Sequence, residues 1–190
     1  MKHIERLTKE TKIRASLELY GGGSAKVRTG VGFFDHMLEA LCKHALWDLE
    51  LVCEGDLEVD SHHSVEDVGI VLGGLLRELL YPVQGIERYG NAAIVMDEAC
   101  VECDLDISNR AFLVCELEVA GMIGGFDAEL AEEFFRALAF NAGISLHIIQ
   151  KRGKNRHHII EAAFKALAVA LRRACSKNER MGMPSTKGVL

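Results

Sequence analysis

The chain has 190 residues, of which 49% are hydrophobic and 26% are charged, so it is long enough to bury a core of ordinary size. Its net charge is -6 and no basic run exceeds two residues, which argues against a surface for nucleic acid or anionic membranes. The N-terminal segment lacks the apolar core of a signal peptide, and the longest apolar run, Gly69 to Leu76, is too short to cross a bilayer. We therefore expect a cytoplasmic protein.

The first half of the chain is predicted to contain strands followed by two helices. Alternating apolar residues indicate strands from Ile4 to Thr11 and from Lys12 to Leu19. A helix is then predicted from Phe33 to Trp47, a short strand from Asp48 to Cys53, and a second helix from Val65 to Leu80.

The same order of elements recurs in the second half. Strands are predicted from Ala92 to Asp106 and from Phe112 to Ala120, and a helix from Asp127 to Asn141. A strand from Ile144 to Ile149 and a helix from Ile159 to Cys175 complete this half.

This recurrence predicts an internally duplicated α+β fold. The two halves are residues 1–90 and 91–190, and each is expected to form a small, largely antiparallel sheet covered on one face by two helices. The sequence contains no long linker rich in Pro and Ser, so the halves are expected to pack as one compact unit.

A His-His-x-x-Glu motif stands at the start of the last helix in each half, as His62-His63-Ser64-Val65-Glu66 and as His157-His158-Ile159-Ile160-Glu161. Helical residues four apart lie on one face, so the first His and the Glu of each motif can chelate one ion. The second His of each motif is rotated by about 100° and would reach a different ion.

Two further histidines, His36 and His147, have settings that suit metal ligands. A single His is more often a helix cap or a core polar group, but so many imidazoles near carboxylates favour metal binding. The symmetric arrangement places His36, His63, His157 and Glu161 around one ion, and His62, Glu66, His147 and His158 around the other. We expect two ions per subunit, and Mn²⁺, Zn²⁺, Fe²⁺ and Co²⁺ all suit these ligands, so that expected affinity does not choose among them.

Four separated motifs resemble the imidazoleglycerol-phosphate dehydratase family of histidine biosynthesis. They are Phe34-Asp35-His36-Met37, the segment Asp60 to Asp67, the segment Gly153 to Glu161, and the C-terminal segment Pro184 to Gly188. The resemblance covers essentially the whole chain and implies the monofunctional form. Two departures are Ser64, where the family usually has Thr, and Asn109, where a Gly is common.

The resemblance implies a fold of two four-stranded sheets with the helices packed between them. It also implies a homo-oligomer of about 24 subunits built from trimers, in which metal ions help to form the subunit contacts. The two halves of each metal site would then come from different subunits.

The family acts on a small imidazole phosphate. Dehydration of D-erythro-imidazoleglycerol phosphate gives imidazoleacetol phosphate and water. The proton that is lost lies beside a carbinol, so it is not acidic enough for simple enolate chemistry. Two ions that each accept one ring nitrogen would stabilise an imidazolate, whose electrons can expel the hydroxyl to give a diazafulvene.

The resemblance also assigns roles to residues outside the metal site. Glu10 is expected to bind the substrate and to act as the general acid and base. Three of the ligands, His36, Glu66 and Glu161, are also expected to take part in catalysis. The phosphate is expected to be bound by basic and hydroxyl side chains, which are Arg88, Arg110, Ser185, Thr186 and Lys187.

Two other functions compete with this interpretation. A non-catalytic assembly protein would use the same His/Glu sites only to join subunits, and it would not need a free carboxylate or a phosphate site. A binuclear phosphoesterase usually draws several ligands from aspartate, and these motifs supply none.

Overall fold

The computed structural model describes residues 1–188 and 190, and its first half forms one sheet and two helices. The strands lie in the order β1-β2-β4-β3 across the sheet. Their bounds are β1 Lys2–Leu7, β2 Thr11–Glu18, β3 Ala25–Arg28 and β4 Asp48–Gly55, and the helices are α1 Gly32–Ala45 and α2 His62–Leu80.

The second half repeats this arrangement with a short hairpin added. Its four-stranded sheet has the order β5-β6-β10-β7, and β8 and β9 form the separate hairpin. The bounds are β5 Tyr89–Met96, β6 Ala99–Ile107, β7 Phe112–Glu116, β8 Met122–Ile123, β9 Phe126–Asp127, α3 Leu130–Ala142, β10 Ile144–Arg152 and α4 Arg156–Ala174.

Both large sheets share one pairing pattern. In each, the first two pairings across the sheet are antiparallel and the last is parallel, between β4 and β3 and between β10 and β7. The predicted duplication and the mostly antiparallel, four-stranded sheets are therefore confirmed.

The helices lie between the two sheets. Helix α2 packs on β1, β2 and β4, whereas α4 packs on β5, β6 and β10. Helix α2 also contacts α3, and α1 contacts α4. The apolar faces of both helical pairs are fully buried, with Phe34, Phe134 and Phe164 among the largest core side chains. This burial fixes α1 against α4, which positions the residues described below.

Two glycines allow α2 and α3 to approach closely. A Cβ atom built on Gly73 would lie 2.7 Å from the carbonyl oxygen of Leu138, and one on Gly69 would lie 2.9 Å from that of Phe134. Such distances to backbone atoms are shorter than a van der Waals contact, so a larger residue would push the helices apart.

The structure corrects several predicted strands. The segment Ala92 to Asp106 is not one strand, because a turn at Asp97 and Glu98 divides it into β5 and β6. Asp97 adopts a left-handed φ of 48°, which reverses the chain. The sequence analysis missed β3, β8 and β9, which are too short to show a periodic pattern. Glu10 lies in the turn between β1 and β2 rather than at the end of a strand.

Among the helices of the described residues, none combines the length and apolarity that a membrane-spanning segment requires.

Candidate metal centre and active site

The first His-His-x-x-Glu motif occupies the first turn of α2. The helix begins at His62, whose backbone N–H donates to Asp60 Oδ1 at 2.7 Å. This early start places the motif on regular helix, with His62 Nε2 3.9 Å from Glu66 Oε2. The first His and the Glu therefore lie on one face, as predicted.

The second motif has the same geometry at the start of α4. Asn155 caps this helix by accepting the backbone N–H of His157 at 3.0 Å. Within the motif, His157 Nε2 lies 3.0 Å from Glu161 Oε2. Lys165 donates to the other carboxylate oxygen of Glu161 at 2.7 Å.

A third side chain joins the second motif from α1. His36 Nε2 lies 3.7 Å from Glu161 Oε2, and ligand atoms of His36, His157 and Glu161 all lie within 4.8 Å of one another. Ligands that share one tetrahedral ion at about 2.1 Å are roughly 3.4 Å apart, so modest side-chain movement would bring these three onto one ion. The donor set and its spacing fit a divalent transition metal.

The carboxylate of Glu161 is buried but ionised. Burial alone would raise the pKa of Glu161, yet the ammonium of Lys165 and the ring of His157 outweigh burial and bring the pKa below its ordinary value. An anionic oxygen is thus available at neutral pH in a setting where a cation would be favoured.

The second histidine of each motif is bonded to a carboxylate through Nδ1. His63 Nδ1 lies 3.0 Å from Asp56 Oδ2, and His158 Nδ1 lies 2.7 Å from Glu98 Oε2. These hydrogen bonds raise the pKa of both imidazoles above the ordinary value. The bond from His158, together with two backbone N–H donors, lowers the pKa of Glu98 to about 2.

Glu10 lies beside the first motif with an exposed side chain. Its Oε1 is 3.9 Å from His63 Nε2, and its carboxylate accepts no hydrogen bond from the part of the chain that the structure describes. Thr8 Oγ1 accepts the backbone N–H groups of Glu10 and Thr11 at 3.1 and 2.9 Å, which shapes the turn.

A buried carboxylate ties this turn to α2. Asp67, next to the motif glutamate, accepts a hydrogen bond from the Thr11 hydroxyl and forms an ion pair with Arg6 at 2.9 Å. Asp67 is nearly fully buried, so the contact is rigid. The turn that carries Glu10 and the helix that carries the first motif therefore form one unit.

His147 lies apart from the other candidate ligands. It sits on the face of β10 that points away from the helices, in a shallow pocket with Tyr89, Asp104 and Ser145. Glu98, the partner of His158, lies near Arg152 at the far end of the same strand. Strand residues advance about 3.3 Å each, so roughly 15 Å separate the two places. His147 and His158 of one chain do not meet.

Two of the predicted phosphate-binding residues, Arg88 and Arg110, lie beside Asp106. Arg88 is buried, and its Nε and Nη2 donate to Asp106 at 2.7 and 3.0 Å. Arg110 is exposed, with Nη2 3.6 Å from the same carboxylate. Asn109 adopts a left-handed φ of 55°, which explains why glycine suits this position.

The C-terminal segment docks onto this group. Arg88 Nη1 donates to the carbonyl oxygen of Pro184 at 2.6 Å. Ser185 Oγ accepts the backbone N–H of Lys187 at 3.2 Å, and the side chains of Thr186 and Lys187 are exposed. The structure thus brings Pro184, the first residue of this segment, to Arg88. The basic side chain of Lys187 lies in solvent.

Sequence reasoning missed the carboxylates that support these groups, which are Asp56, Asp67, Glu98 and Asp106. Of these four, only Asp67 was recognisable in the sequence, because it directly follows the motif glutamate in a predicted helix. Glu98 reaches His158 across 60 residues through the tertiary fold, whereas Asp56 lies only seven residues before His63, in the loop that precedes α2.

Comparisons with known proteins give a consistent result. A family model described as imidazoleglycerol-phosphate dehydratase matches residues 29–171. A protein of this name from Wolinella succinogenes is 76% identical over 190 residues, which is the whole of both chains. Another from a Sulfurovum species is 65% identical, again over the whole of both chains.

Solved structures agree with these relatives. The crystal structure of IGPD from Pyrococcus furiosus in complex with (S)-C348 has a TM-score of 0.86 and 40% identity, covering 98% of this chain and 100% of that one. The structure of imidazoleglycerol-phosphate dehydratase from Staphylococcus aureus has a TM-score of 0.82 and 37% identity, covering 94% and 100%.

Proposed function

We propose a two-metal mechanism for this chain, which belongs to the imidazoleglycerol-phosphate dehydratase family. The protein is a hydro-lyase that dehydrates imidazoleglycerol phosphate in histidine biosynthesis. The proposal concerns how its residues carry out this reaction. One observation carries it, namely the convergence of His36, His157 and Glu161 from two helices.

Two Mn²⁺ per subunit are the proposed cofactors. One ion would be held by His36, His63, His157 and Glu161, and the other by His62, Glu66, His147 and His158. When bound, such ions act as Lewis acids that lower the pKa of an imidazole ring. The protein contributes imidazoles and carboxylates in preset positions, since His157 Nε2 lies 3.0 Å from Glu161 Oε2 and His62 Nε2 lies 3.9 Å from Glu66 Oε2.

Glu10 is proposed to move the proton. Its carboxylate is free, exposed and 3.9 Å from His63 Nε2, so it would face a substrate ring bound at the first motif. The Thr11–Asp67 contact holds the turn in place, which limits the motion of the base. A general acid or base must lie within hydrogen-bond reach of the proton that it moves, and we expect this turn to place Glu10 there.

The phosphate is proposed to bind beside Arg88 and Arg110, with Ser185, Thr186 and Lys187 from the C-terminal segment. Asp106 keeps the guanidinium of Arg88 in a fixed orientation by two parallel hydrogen bonds. Arg110 remains accessible for a charged ligand.

We further propose a homo-oligomer of about 24 subunits that is built from trimers. The position of His147 on an outer sheet face supports this, because a second copy must supply it if it is to join His158 at one ion. We place the protein in the cytoplasm, where a small phosphorylated substrate of a biosynthetic pathway would be found.

Replacing a proposed ligand tests the function. The His157→Ala variant should lose metal and turnover of imidazoleglycerol phosphate, because it removes one of four protein ligands of an ion. The His3→Ala variant is the matched control, since His3 is exposed on β1 and outside the motifs, and it should retain both. A fully active His157→Ala enzyme with unchanged metal content would contradict the ligand assignment.

A further inference from the structure

Two carboxylates outside the motifs occupy the same chemical position. Asp56 lies at Nδ1 of His63, with its oxygens at 3.0 and 3.1 Å, and Glu98 lies at Nδ1 of His158 at 2.7 Å. Both histidines are the second residue of their His-His-x-x-Glu motif. The two halves of the molecule thus use different residues to make one arrangement.

This arrangement determines which ring nitrogen carries the proton. An ionised carboxylate only accepts hydrogen bonds, so Nδ1 of each neutral imidazole must be the donor. Nε2 then carries the lone pair that a metal ion requires. A carboxylate that accepts the Nδ1–H bond also fixes the plane of the ring.

Equivalent glutamates of the two halves make different contacts. Glu10 and Glu98 occupy equivalent places, since each directly precedes the second strand of its half, β2 or β6. Glu98 is bonded to His158, whereas Glu10 is not bonded to His63 and lies near Nε2 instead. In the first half, Asp56 takes the Nδ1 position, and the glutamate of the turn remains free.

From these contacts we infer that Asp56 and Glu98 are positioning residues, which direct Nε2 of His63 and His158 toward the metal ions. Asp56 has the additional effect of leaving Glu10 available for proton transfer. The inference rests on the proposed two-metal function. It assigns to both carboxylates a role in metal binding that does not require contact with the ion.

The surroundings of the two carboxylates predict different responses to amide substitution. Glu98 Oε1 accepts the backbone N–H groups of Lys154 and Asn155 at 3.2 and 2.8 Å. In Glu98→Gln these two donors would hold the single oxygen, so the NH₂ group would face Nδ1 of His158. Nδ1 must then accept, which places the proton on Nε2 and blocks the metal.

Asp56→Asn should behave differently. Both oxygens of Asp56 lie near His63 Nδ1, so the amide of an Asn can turn its oxygen toward the ring. The donor role of Nδ1 is then preserved. A residue that only stabilised the fold would not produce this contrast between two conservative variants.

The test is Mn²⁺ binding to the full-length protein, measured by equilibrium dialysis after removal of metal. Glu98→Gln should lower the affinity for one of the two ions by about 10- to 100-fold, the usual effect of losing such a partner. The affinity of Asp56→Asn should stay within about threefold of that of the unmodified protein. Asp56→Ala should weaken the other ion by the same 10- to 100-fold. Glu58→Ala, an exposed carboxylate in the loop of Asp56, is the matched control and should bind both ions normally.

A second readout reports the ring itself. At alkaline pH, where the ring is neutral, solid-state ¹⁵N NMR of the metal-free protein should show the proton of His158 on Nδ1 in the unmodified chain and on Nε2 in Glu98→Gln. Unchanged Mn²⁺ affinity or an unchanged tautomer in Glu98→Gln would overturn the inference while leaving the two-metal function intact. Failure of the unmodified protein to bind Mn²⁺ would overturn both.

Discussion

At the scale of single residues, the site contains a buried, ion-paired carboxylate and an exposed one without a hydrogen bond among the described residues. Glu161 is buried against Lys165 and two imidazoles, whereas Glu10 is exposed and unbonded within the described residues. A ligand needs a lasting negative charge, but a proton-transfer group must gain and lose a proton during turnover. Their surroundings match these different requirements.

Glu10→Gln tests the free carboxylate. The variant keeps the size of the side chain but removes the group that can be protonated, so kcat should fall by about 10²- to 10⁴-fold. Metal content should remain, because the side chain contacts neither motif at hydrogen-bond distance. Substrate affinity should also remain, because the amide of Gln keeps the hydrogen-bonding capacity of the side chain. Steady-state kinetics and metal analysis of the same sample provide the check. Near-normal turnover would move the proton transfer to another group.

The pKa values of His63 and His158 predict opposite effects of pH with and without metal. Both are raised in the folded state, so without metal the ion pairs with Asp56 and Glu98 stabilise the protein fully below the unfolded pKa of about 6.5. That stabilisation is lost as pH rises through the folded pKa. With Mn²⁺, stabilisation should instead increase with pH, because the ion competes with the proton for Nε2.

Thermal unfolding measures this difference. The unfolding midpoint of the unmodified protein is compared with that of the His63→Gln/His158→Gln double variant, between about pH 6 and pH 8.5, in chelator and in Mn²⁺. The gap between the two proteins should narrow with rising pH in chelator and widen in Mn²⁺. The same slope under both conditions would be inconsistent with metal binding at these imidazoles.

At the scale of elements, periodicity predicted the helices well because each buries one continuous apolar face. Helix α4 is assigned to Arg156–Ala174 and was expected from Ile159 to Cys175. The prediction of one strand from Ala92 to Asp106 was wrong because burial alternates in both β5 and β6. The alternation alone therefore does not reveal the turn at which the chain reverses. The motif histidines were recognisable from spacing. The contact of Glu98 with His158 depends on the tertiary fold, and that of Asp56 with His63 depends on the conformation of the loop between β4 and α2.

The contact between α2 and α3 allows a matched test with neighbouring glycines. Gly73→Ala should destabilise the protein by about 1–3 kcal/mol, because the new Cβ would lie 2.7 Å from the Leu138 carbonyl oxygen. Gly74→Ala should stabilise it by about 0.5–1 kcal/mol, since its Cβ would meet only the end of the Ile4 side chain at 3.2 Å. Fluorescence of the single tryptophan, the buried Trp47, reports unfolding. Equal effects of both substitutions would contradict the assigned packing.

At the scale of the whole molecule, duplication explains why one short chain contains two His-His-x-x-Glu motifs. The two halves share strand order, and each begins its last helix with the same pair of histidines. They differ in that only the second half carries a proposed ligand on its sheet, His147, which lies far from the motifs. A single chain therefore contains both halves of the ligand set without bringing all of them together.

Metal removal should weaken the assembly. If His147 of one subunit completes a site in another, a chelator removes a bridge between subunits, and sedimentation should shift toward smaller species. Added Mn²⁺ should restore the original size. The His147→Ala variant should resemble the chelated protein, with His3→Ala as its control. A size that is insensitive to chelator would argue against shared sites.

The most direct test of the two-metal account is a titration of metal-free protein with Mn²⁺ during turnover of imidazoleglycerol phosphate. The account predicts no measurable turnover without metal and a rise that saturates at about two Mn²⁺ per subunit, since the eight proposed ligands form two sets of four. Full turnover by protein that analysis shows to be free of metal would contradict it.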